Sequence, residues 1–348
     1  MNHRESIQCT RRQRGAIGVM MPFVMIMTLS FGALAIDIAH MVVVRNELQN
    51  AADAAALAGA AGLWPINPTP NWSNAVTKGT SAISLNRAGG ALLSTGNVQA
   101  GYWNPNPGTS PSGLQPQGTT PTTGLVPAVQ VTIQRSGTSN GGPVVTYLAS
   151  FFGVTAATAT ATAVAVVAPP GSVLPGATPL PFVISSCLYN QLFNPTTGQP
   201  NSSISFQIGS SYHYNGCETG QWTSYFTGSN SDAVTKNYID GVTPSPAMSI
   251  GDNVWIQTGT KTNLFSEIAS KLVGQTVLIP VVNDPTGSGF TTNGQMPIVA
   301  FAAFYIEAAA GGSGKYVQGH FVGNYKFANT GGGIGPYYGG YVPPRLAQ

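Results

Sequence analysis

Charge is what this sequence most conspicuously lacks. Of 348 residues, 14 are Lys or Arg and 11 are Asp or Glu, a charged fraction of 7%, where an ordinary soluble domain carries about 25%. Residues 54–217 hold no carboxylate, and Lys78, Arg87 and Arg135 are their only charges. A metal or acid–base centre built on Asp or Glu would find no ligands there. Cysteine is sparse too, with 3 in the chain, and the histidines His3, His40, His213 and His320 are scattered. No H-E-x-x-H occurs, and the Gly-rich stretches lack the G-x-x-x-x-G-K-[S/T] pattern and the strand-turn-helix setting of a phosphate loop. Without a basic stripe, nucleic-acid binding has nothing to rest on.

Apolar residues do not fill the deficit throughout. The hydrophobic fraction is 43%, with 43 Gly and 26 Pro, which excludes a multi-span membrane protein. A net charge of only +3, with abundant β-branched residues, excludes disorder driven by charge. What remains is an uncharged, strand- and loop-rich chain of the secreted or cell-surface kind, long enough for one or two cores.

The charges that exist are placed informatively. Arg4, Arg11, Arg12 and Arg14 precede Ala16 against Glu5 alone. Immediately after them, residues 16–36 (AIGVMMPFVMIMTLSFGALAI) carry no charge and at about 1.5 Å per residue would span roughly 30 Å, the hydrocarbon thickness of a bilayer. The basic cluster Arg11, Arg12 and Arg14 places the N-terminus in the cytoplasm and the rest of the chain outside. A cleaved signal peptide with Ala33-Leu34-Ala35 at its cleavage site is the competing reading. Apolar, helix-compatible sequence continues past that point, so a helix is expected to run on to about residue 62. Beyond the bilayer Val44, Leu48, Ala51, Ala55 and Ala58 recur at helical spacing and make a narrow stripe of mostly small side chains. Either it packs on the chain's own domain or it meets helices of other subunits.

Arg11-Arg12-Gln13-Arg14-Gly15, an apolar span ending Ala35-Ile36-Asp37, and then LQNAADAAALAGA at residues 48–60 resemble the N-terminal region of the TadG-like proteins of Flp (Tad) pilus-assembly systems. Residues 158–167 and 297–322 resemble later parts of such proteins. The resemblance implies a single-pass inner-membrane protein with a large periplasmic part, building or anchoring a thin adhesive pilus, and no catalytic residues. It implies partners of two kinds, the lipid bilayer and other pilus-assembly or pseudopilin subunits met through the N-terminal helix. Related pilins are cut after a Gly that is followed five residues later by Glu. Here Gly15 is followed at that distance by Met20, so no cleavage after Gly15 is expected. The Asp-x-Ser-x-Ser metal motif of many TadG-like chains is missing.

The expected fold is α+β: one long N-terminal transmembrane and juxtamembrane helix, then a mainly antiparallel, loop-rich ectodomain. The expected divisions are a cytoplasmic tip at 1–15, the membrane helix at 16–36 continuing to about 62, and a small β-rich unit at 64–168 packing on that helix. A linker at 169–181, a larger β-rich domain at 182–326 and a flexible Gly/Tyr tail at 327–348 follow. In the small unit Val129, Val131 and Ile133 alternate with polar residues, and Ala157, Ala159, Ala161, Ala163 and Ala165 form one face of a strand. An all-alanine face calls for a close neighbour, and the alanine stripe of the helix is the expected one. Residues 143–152 have helical spacing, with Gly153 placed to stop the helix. Residues 104–127 read as a long exposed loop. In the larger domain strands are expected at 204–208, 253–257, 276–282, 297–307 and 315–322, the last two joined as a hairpin, with a helix at 261–272.

Cys187 and Cys217 lie on the far side of the membrane from Cys9 and are expected to pair as a disulfide, the alternative being two reduced buried thiols. His213 beside them lacks a fourth ligand for a metal. Asn283–Gly289 reads as a turn, for which turn chemistry suffices. Tyr212, Tyr214, Trp222, Tyr225 and Phe226 offer either a glycan- or partner-binding surface or ordinary packing. No cofactor, metal or small-molecule substrate is expected. The function read from the sequence is a non-catalytic, membrane-anchored structural or assembly component of a Flp-type pilus. The alternative is an envelope adhesin or ligand-binding module with no role in pilus assembly.

Overall fold

A computed structural model describes residues 16–347 apart from 65, 67–68, 107, 109, 120–123, 195–198, 258, 260, 288 and 291–293. The basic tip with Arg11, Arg12 and Arg14 lies outside the described residues. The chain starts as one helix, α1 (Ala16–Ala61), of 46 residues, which runs through Pro22. Its first half is apolar, and its hydroxyls are satisfied along the helix itself. Thr28 Oγ1 donates to the Val24 carbonyl at 2.9 Å and Ser30 Oγ to that of Ile26 at 2.7 Å, as polar groups in an apolar surrounding must. The chain is α+β, and its ectodomain is mostly antiparallel.

The chain divides into two compact units that interleave in sequence. The first takes the helix to Ala52, residues 83–96 and residues 132–162; the second takes 53–82, 97–131 and 163–348. These units do not follow the expected linker at 169–181 or the expected small unit at 64–168. Long-range pairing, not linker composition, sets the division.

In the first unit polar side chains tie the segments together. Arg135 is buried, and its guanidinium donates to the carbonyls of Ala88 (3.0 Å), Gly142 (3.1 Å), Gly141 (3.3 Å) and Gly89 (3.4 Å). With no carboxylate available nearby in sequence, backbone oxygens solvate the cation. Asn140, at a left-handed φ of 54°, accepts from the amides of Ser94 (2.8 Å) and Thr95 (3.0 Å) and donates to the carbonyls of Thr95 and Gln134. Asn tolerates that backbone region better than most residues. The expected helix over 143–152 is replaced by a hairpin in which Val144 pairs with Ala157 and Val145 with Ala156. Only Ala149–Phe152 makes a 3₁₀ turn, which Gly153 closes at a φ of 84°.

A four-stranded sheet comprises β1 (Asn97–Trp103), β2 (Val126–Arg135), β3 (Ala159–Val166) and the C-terminal β11 (Arg345–Leu346), in the order β11-β3-β2-β1. On one face Val126, Ala128, Val164, Val166 and Ala168 are buried, with Trp103, Leu114, Ile334 and Ala347 packed over them. The expectation of a fraying tail is corrected here. Arg345 pairs with Val166 and Leu346 with Ala165, while Tyr338, Tyr341 and Val342 are buried. The tail covers part of this apolar face, beside Trp103 and Leu114. Leu114 and Gln115, in the stretch expected to be an exposed loop, also lie on this sheet, Gln115 exchanging backbone bonds with Tyr102.

The second unit also holds all but the last residue of helix α2 (Trp72–Ile83), absent from the sequence expectation. Asn71 caps it, its Oδ1 accepting from the Asn74 amide at 3.2 Å, a use to which Asn is well suited. Its remainder contains β4 (Phe182–Ser185), α3 (Cys187–Leu192), β5 (Phe206–Tyr214), β6 (Cys217–Tyr225), α4 (Asp232–Ile239), β7 (Asn253–Ile256), α5 (Leu264–Lys271), β8 (Thr276–Val282), β9 (Gln295–Ala310) and β10 (Tyr316–Phe321). The order is β5-β10-β9-β7-β6-β4-β8, with further pairings β5–β6 and β8–β9. These pairings close a ring of six strands, β8-β9-β10-β5-β6-β4, with β7 bridging β6 and β9. Closure leaves no open edge to template another chain. The one parallel pair in the ring is β8 with β4. Its main core draws on all six ring strands and on α3 and α5, with Phe182, Trp222, Phe265, Phe304 and Phe321 the largest side chains.

Candidate functional site

Helix α1 is the element around which the chain's distinctive features gather, and its two halves differ in kind. From Met20 to Val43 large apolar side chains stand exposed, Phe31 at 72%. Mean hydropathy reaches 1.8 in a helix long and apolar enough to cross a membrane. From Val44 the helix is buried along one arc: Val44, Leu48, Ala51, Ala52, Ala55, Ala56 and Ala60 are all at most 1% exposed. Of the expected stripe, Val44, Leu48, Ala51 and Ala55 lie in this arc, whereas Ala58 is half-buried. At 100° per residue the arc is broader than a seam repeating every seven residues, and it is centred nearer Ala52 and Gly59.

The small residues admit backbone. A Cβ on Gly59 would meet Val129 Cγ1 at 2.8 Å and the Ala75 carbonyl at 3.1 Å. One on Gly62 would meet Ala75 Cα at 2.8 Å, and one on Gly79 would meet Val98 Cγ1 at 2.9 Å and the Ala55 carbonyl at 3.4 Å. Helices α1 and α2 thus touch backbone to backbone where Ala55, Gly59, Gly62, Ala75 and Gly79 leave room. Ala55 therefore faces α2. On strand β3 Ala159, Ala161, Ala163 and Ala165 are buried, and Gln49 donates to the Thr162 carbonyl at 3.2 Å.

Asp37 is buried between the two halves of α1. Its Oδ1 accepts from the amides of Tyr147 (2.7 Å) and Leu148 (3.3 Å), its Oδ2 from those of Leu148 (3.0 Å) and Ala149 (2.5 Å). His40 stacks obliquely on Tyr147, ring centroids 5.1 Å apart. Two turns higher Glu47 accepts from the Gly89 amide at 2.6 Å. Sequence reasoning had treated Asp37 as the end of the apolar span. Its role as a clamp depends on a partner 110 residues away.

The remaining candidates resolve into packing. Cys187 and Cys217 form a disulfide with Cα atoms 5.8 Å apart, so His213 has no thiolate beside it. Asp284 is buried in the 283–289 turn. Its Oδ2 and carbonyl oxygen both accept from Ser185 Oγ, and its amide donates to Ser186 Oγ. Gly287, at a φ of 65°, lies on the disulfide, where a Cβ would meet Cys187 Sγ at 2.8 Å. Among the described residues no group of three or more His, Cys, Asp or Glu is placed to hold a metal. Of the five aromatics, Trp222 and Tyr225 are fully buried; Tyr225 donates to the Thr178 carbonyl at 2.6 Å, and burial pushes its hydroxyl pKa up. Tyr212 and Tyr214 line a shallow cavity of about 290 Å³ with His213 and Gln318. Gly137-Thr138-Ser139-Asn140-Gly141 has the spacing of a nucleophile elbow, but Ser139 lies in a turn between β2 and a hairpin, with no following helix. The elbow's exposure of its Ser needs that helix.

Comparison with known families matches residues 15–62 to the family described as Flp pilus-assembly TadE/G-like and residues 44–165 to that described as Tad-like Flp pilus-assembly. No curated protein matches the chain, and no solved structure does. The two matches overlap on the buried small-residue half of α1, and the second continues through α2, β1, β2 and the hairpin that Asp37 clamps, to β3. Over these elements the chain is similar to the Tad/Flp pilus-assembly families.

Proposed function

We propose that this protein is a non-catalytic structural or assembly component of a Flp-type pilus, anchored in the bacterial inner membrane by α1 with its ectodomain in the periplasm. The carrying observation is the division of α1 at residues 43–44. Below it large apolar side chains stand exposed from Met20 to Val43, interrupted where Asp37 and His40 meet residues 147–149; above it a small-residue arc is buried. Such a helix is both anchor and scaffold. The basic cluster Arg11, Arg12 and Arg14 supports an N-terminus in the cytoplasm. The disulfide supports an oxidising compartment for the ectodomain.

Because much of the small-residue arc is occupied by the chain's own α2, contacts with other pilus subunits fall to the apolar half of α1 and to the ectodomain surface. Deletion of the gene with electron microscopy of surface pili tests the proposal: pili should be lost while the envelope stays intact. Normal pili with loss of attachment alone would favour the adhesin reading. Fractionation and protease shaving of cells test the topology, which predicts an inner-membrane protein whose ectodomain is cut only after the outer membrane is opened.

A further inference from the structure

The hairpin clamped by Asp37 has a tip that ordinary folding does not explain. Phe151 is 82% exposed and Phe152 72%, and Val145, Tyr147 and Val154 are each more than half exposed. Between Arg135 and Glu218 the chain carries no Lys, Arg, Asp or Glu, so no charged side chain on this hairpin resists leaving water. Contiguous exposed apolar surface of this kind marks an interaction site.

The clamp fixes the height of this tip along α1. Tyr147, Leu148 and Ala149 donate their amides to Asp37, while the exposed apolar surface of the helix continues past Asp37 through Ile38, Val42 and Val43 before Arg45. At 1.5 Å per residue Val43 stands about 9 Å beyond Asp37. The tip therefore lies beside the upper part of the apolar band, not above it. A carboxylate at that depth would be costly in lipid, and the amides of the tip take the place of water around it. Tyr147 sits where aromatic residues gather at membrane interfaces.

We infer that the tip, residues 147–154, inserts Phe151 and Phe152 into the outer interface of the bilayer that α1 crosses, as a second membrane contact beside the helix. The occupant of the patch is thus phospholipid, at the boundary of headgroups and acyl chains. This rests on the anchor reading above, so the test must separate the two.

The full chain with Cys9→Ser is reconstituted in vesicles of phosphatidylethanolamine and phosphatidylglycerol, and a nitroxide is attached at Phe151→Cys or, separately, at Phe152→Cys. Collision with oxygen, which concentrates in lipid, is compared with collision with a nickel chelate, which stays in water. Leu34→Cys reports on the helix and Val242→Cys, exposed in the ectodomain, on the aqueous phase. The expected result is an excess of oxygen collisions at 151 and 152, as at Leu34 and opposite to Val242. An excess at Leu34 with a water signature at both tip positions overturns the inference and leaves the anchor standing. Shelter of the tip from both agents means that protein covers it, which also overturns it. A water signature at Leu34 removes the anchor and the inference together.

Discussion

Asp37 shows how one side chain gains a role from its partners. An Asn there offers one acceptor oxygen where the carboxylate offers two and carries no charge to strengthen the bonds. Asp37→Asn should therefore leave α1 helical but release the hairpin tip, seen as faster amide exchange at Tyr147, Leu148 and Ala149 with little change elsewhere. Gly59 makes the opposite case, in which absence of a side chain is the requirement. Alanine there gains helix propensity of about 1 kcal/mol but drives a methyl into Val129 Cγ1 and the Ala75 carbonyl, and overpacking of this kind costs about 1–3 kcal/mol. Gly59→Ala should lower the unfolding midpoint. Val129→Ala in the same chain should then cost less than it does alone, a non-additivity that a double-mutant cycle measures.

At the scale of elements, the closed ring depends on one covalent tie and on pairings between strands distant in sequence. The disulfide joins the start of α3 to the start of β6, a separation of 30 residues. In the chain-entropy picture that loop contributes about 3–4 kcal/mol. Cys187→Ser with Cys217→Ser should show that loss in urea unfolding, with the strand content unchanged. The β9–β10 pair carries a pH-dependent contribution. Burial raises the carboxyl pKa of Glu307, but hydrogen bonds from Ser205 (2.6 Å), His320 (2.6 Å) and Gln318 (3.2 Å) outweigh it and hold the group below its usual 4.5. A depressed folded value stabilises the fold above the unfolded pKa, and that contribution disappears as pH falls through the folded one. Acid unfolding should therefore be less steep below pH 4.5 in Glu307→Gln than in the parent.

Some of these elements were legible in sequence and others were not. The strand at Thr276–Val282 and the hairpin of β9 with β10 follow from β-branched runs bounded by turn residues. Helix α5 begins at Leu264, inside the expected span. Helix α2 was hidden because Ser, Thr and Gly79 are poor helix formers; what favours it is the Asn71 cap and the close fit of Ala75 and Gly79 to α1. The 143–152 segment has helical spacing of apolar residues, but Phe151 and Phe152 are not buried by a core. Spacing alone cannot distinguish a core-facing helix from a strand pair with an apolar tip.

At the scale of the whole molecule, the C-terminal tail is a structural part of the second unit. A chain ending at residue 332 would lose Ile334 and Ala347 from the cluster over Val164 and Val166 and would lose strand β11. It should unfold at lower temperature and be cut faster by protease within β3, where the complete chain resists. Composition pointed the other way, since Gly-, Pro- and Tyr-rich ends commonly fray. Tyr337 illustrates why this one does not. Its hydroxyl accepts from the Asn324 amide and donates to Gln199 Oε1, and burial pushes its pKa up to about 12.

The sequence by itself determined the uncharged span and its long continuation as a helix, the small-residue motif that resembles pilus-assembly proteins, the two cysteines able to pair and the general α+β class. Each of these is local, or requires only two residue types in one compartment, so period and composition carry it. The tertiary structure decided what the small residues touch, what Asp37 holds, how six strands close and where the tail goes. Those outcomes turn on which apolar face and which unpaired backbone groups remain to be satisfied after the rest of the chain has folded, and that is a property of contacts far apart in sequence.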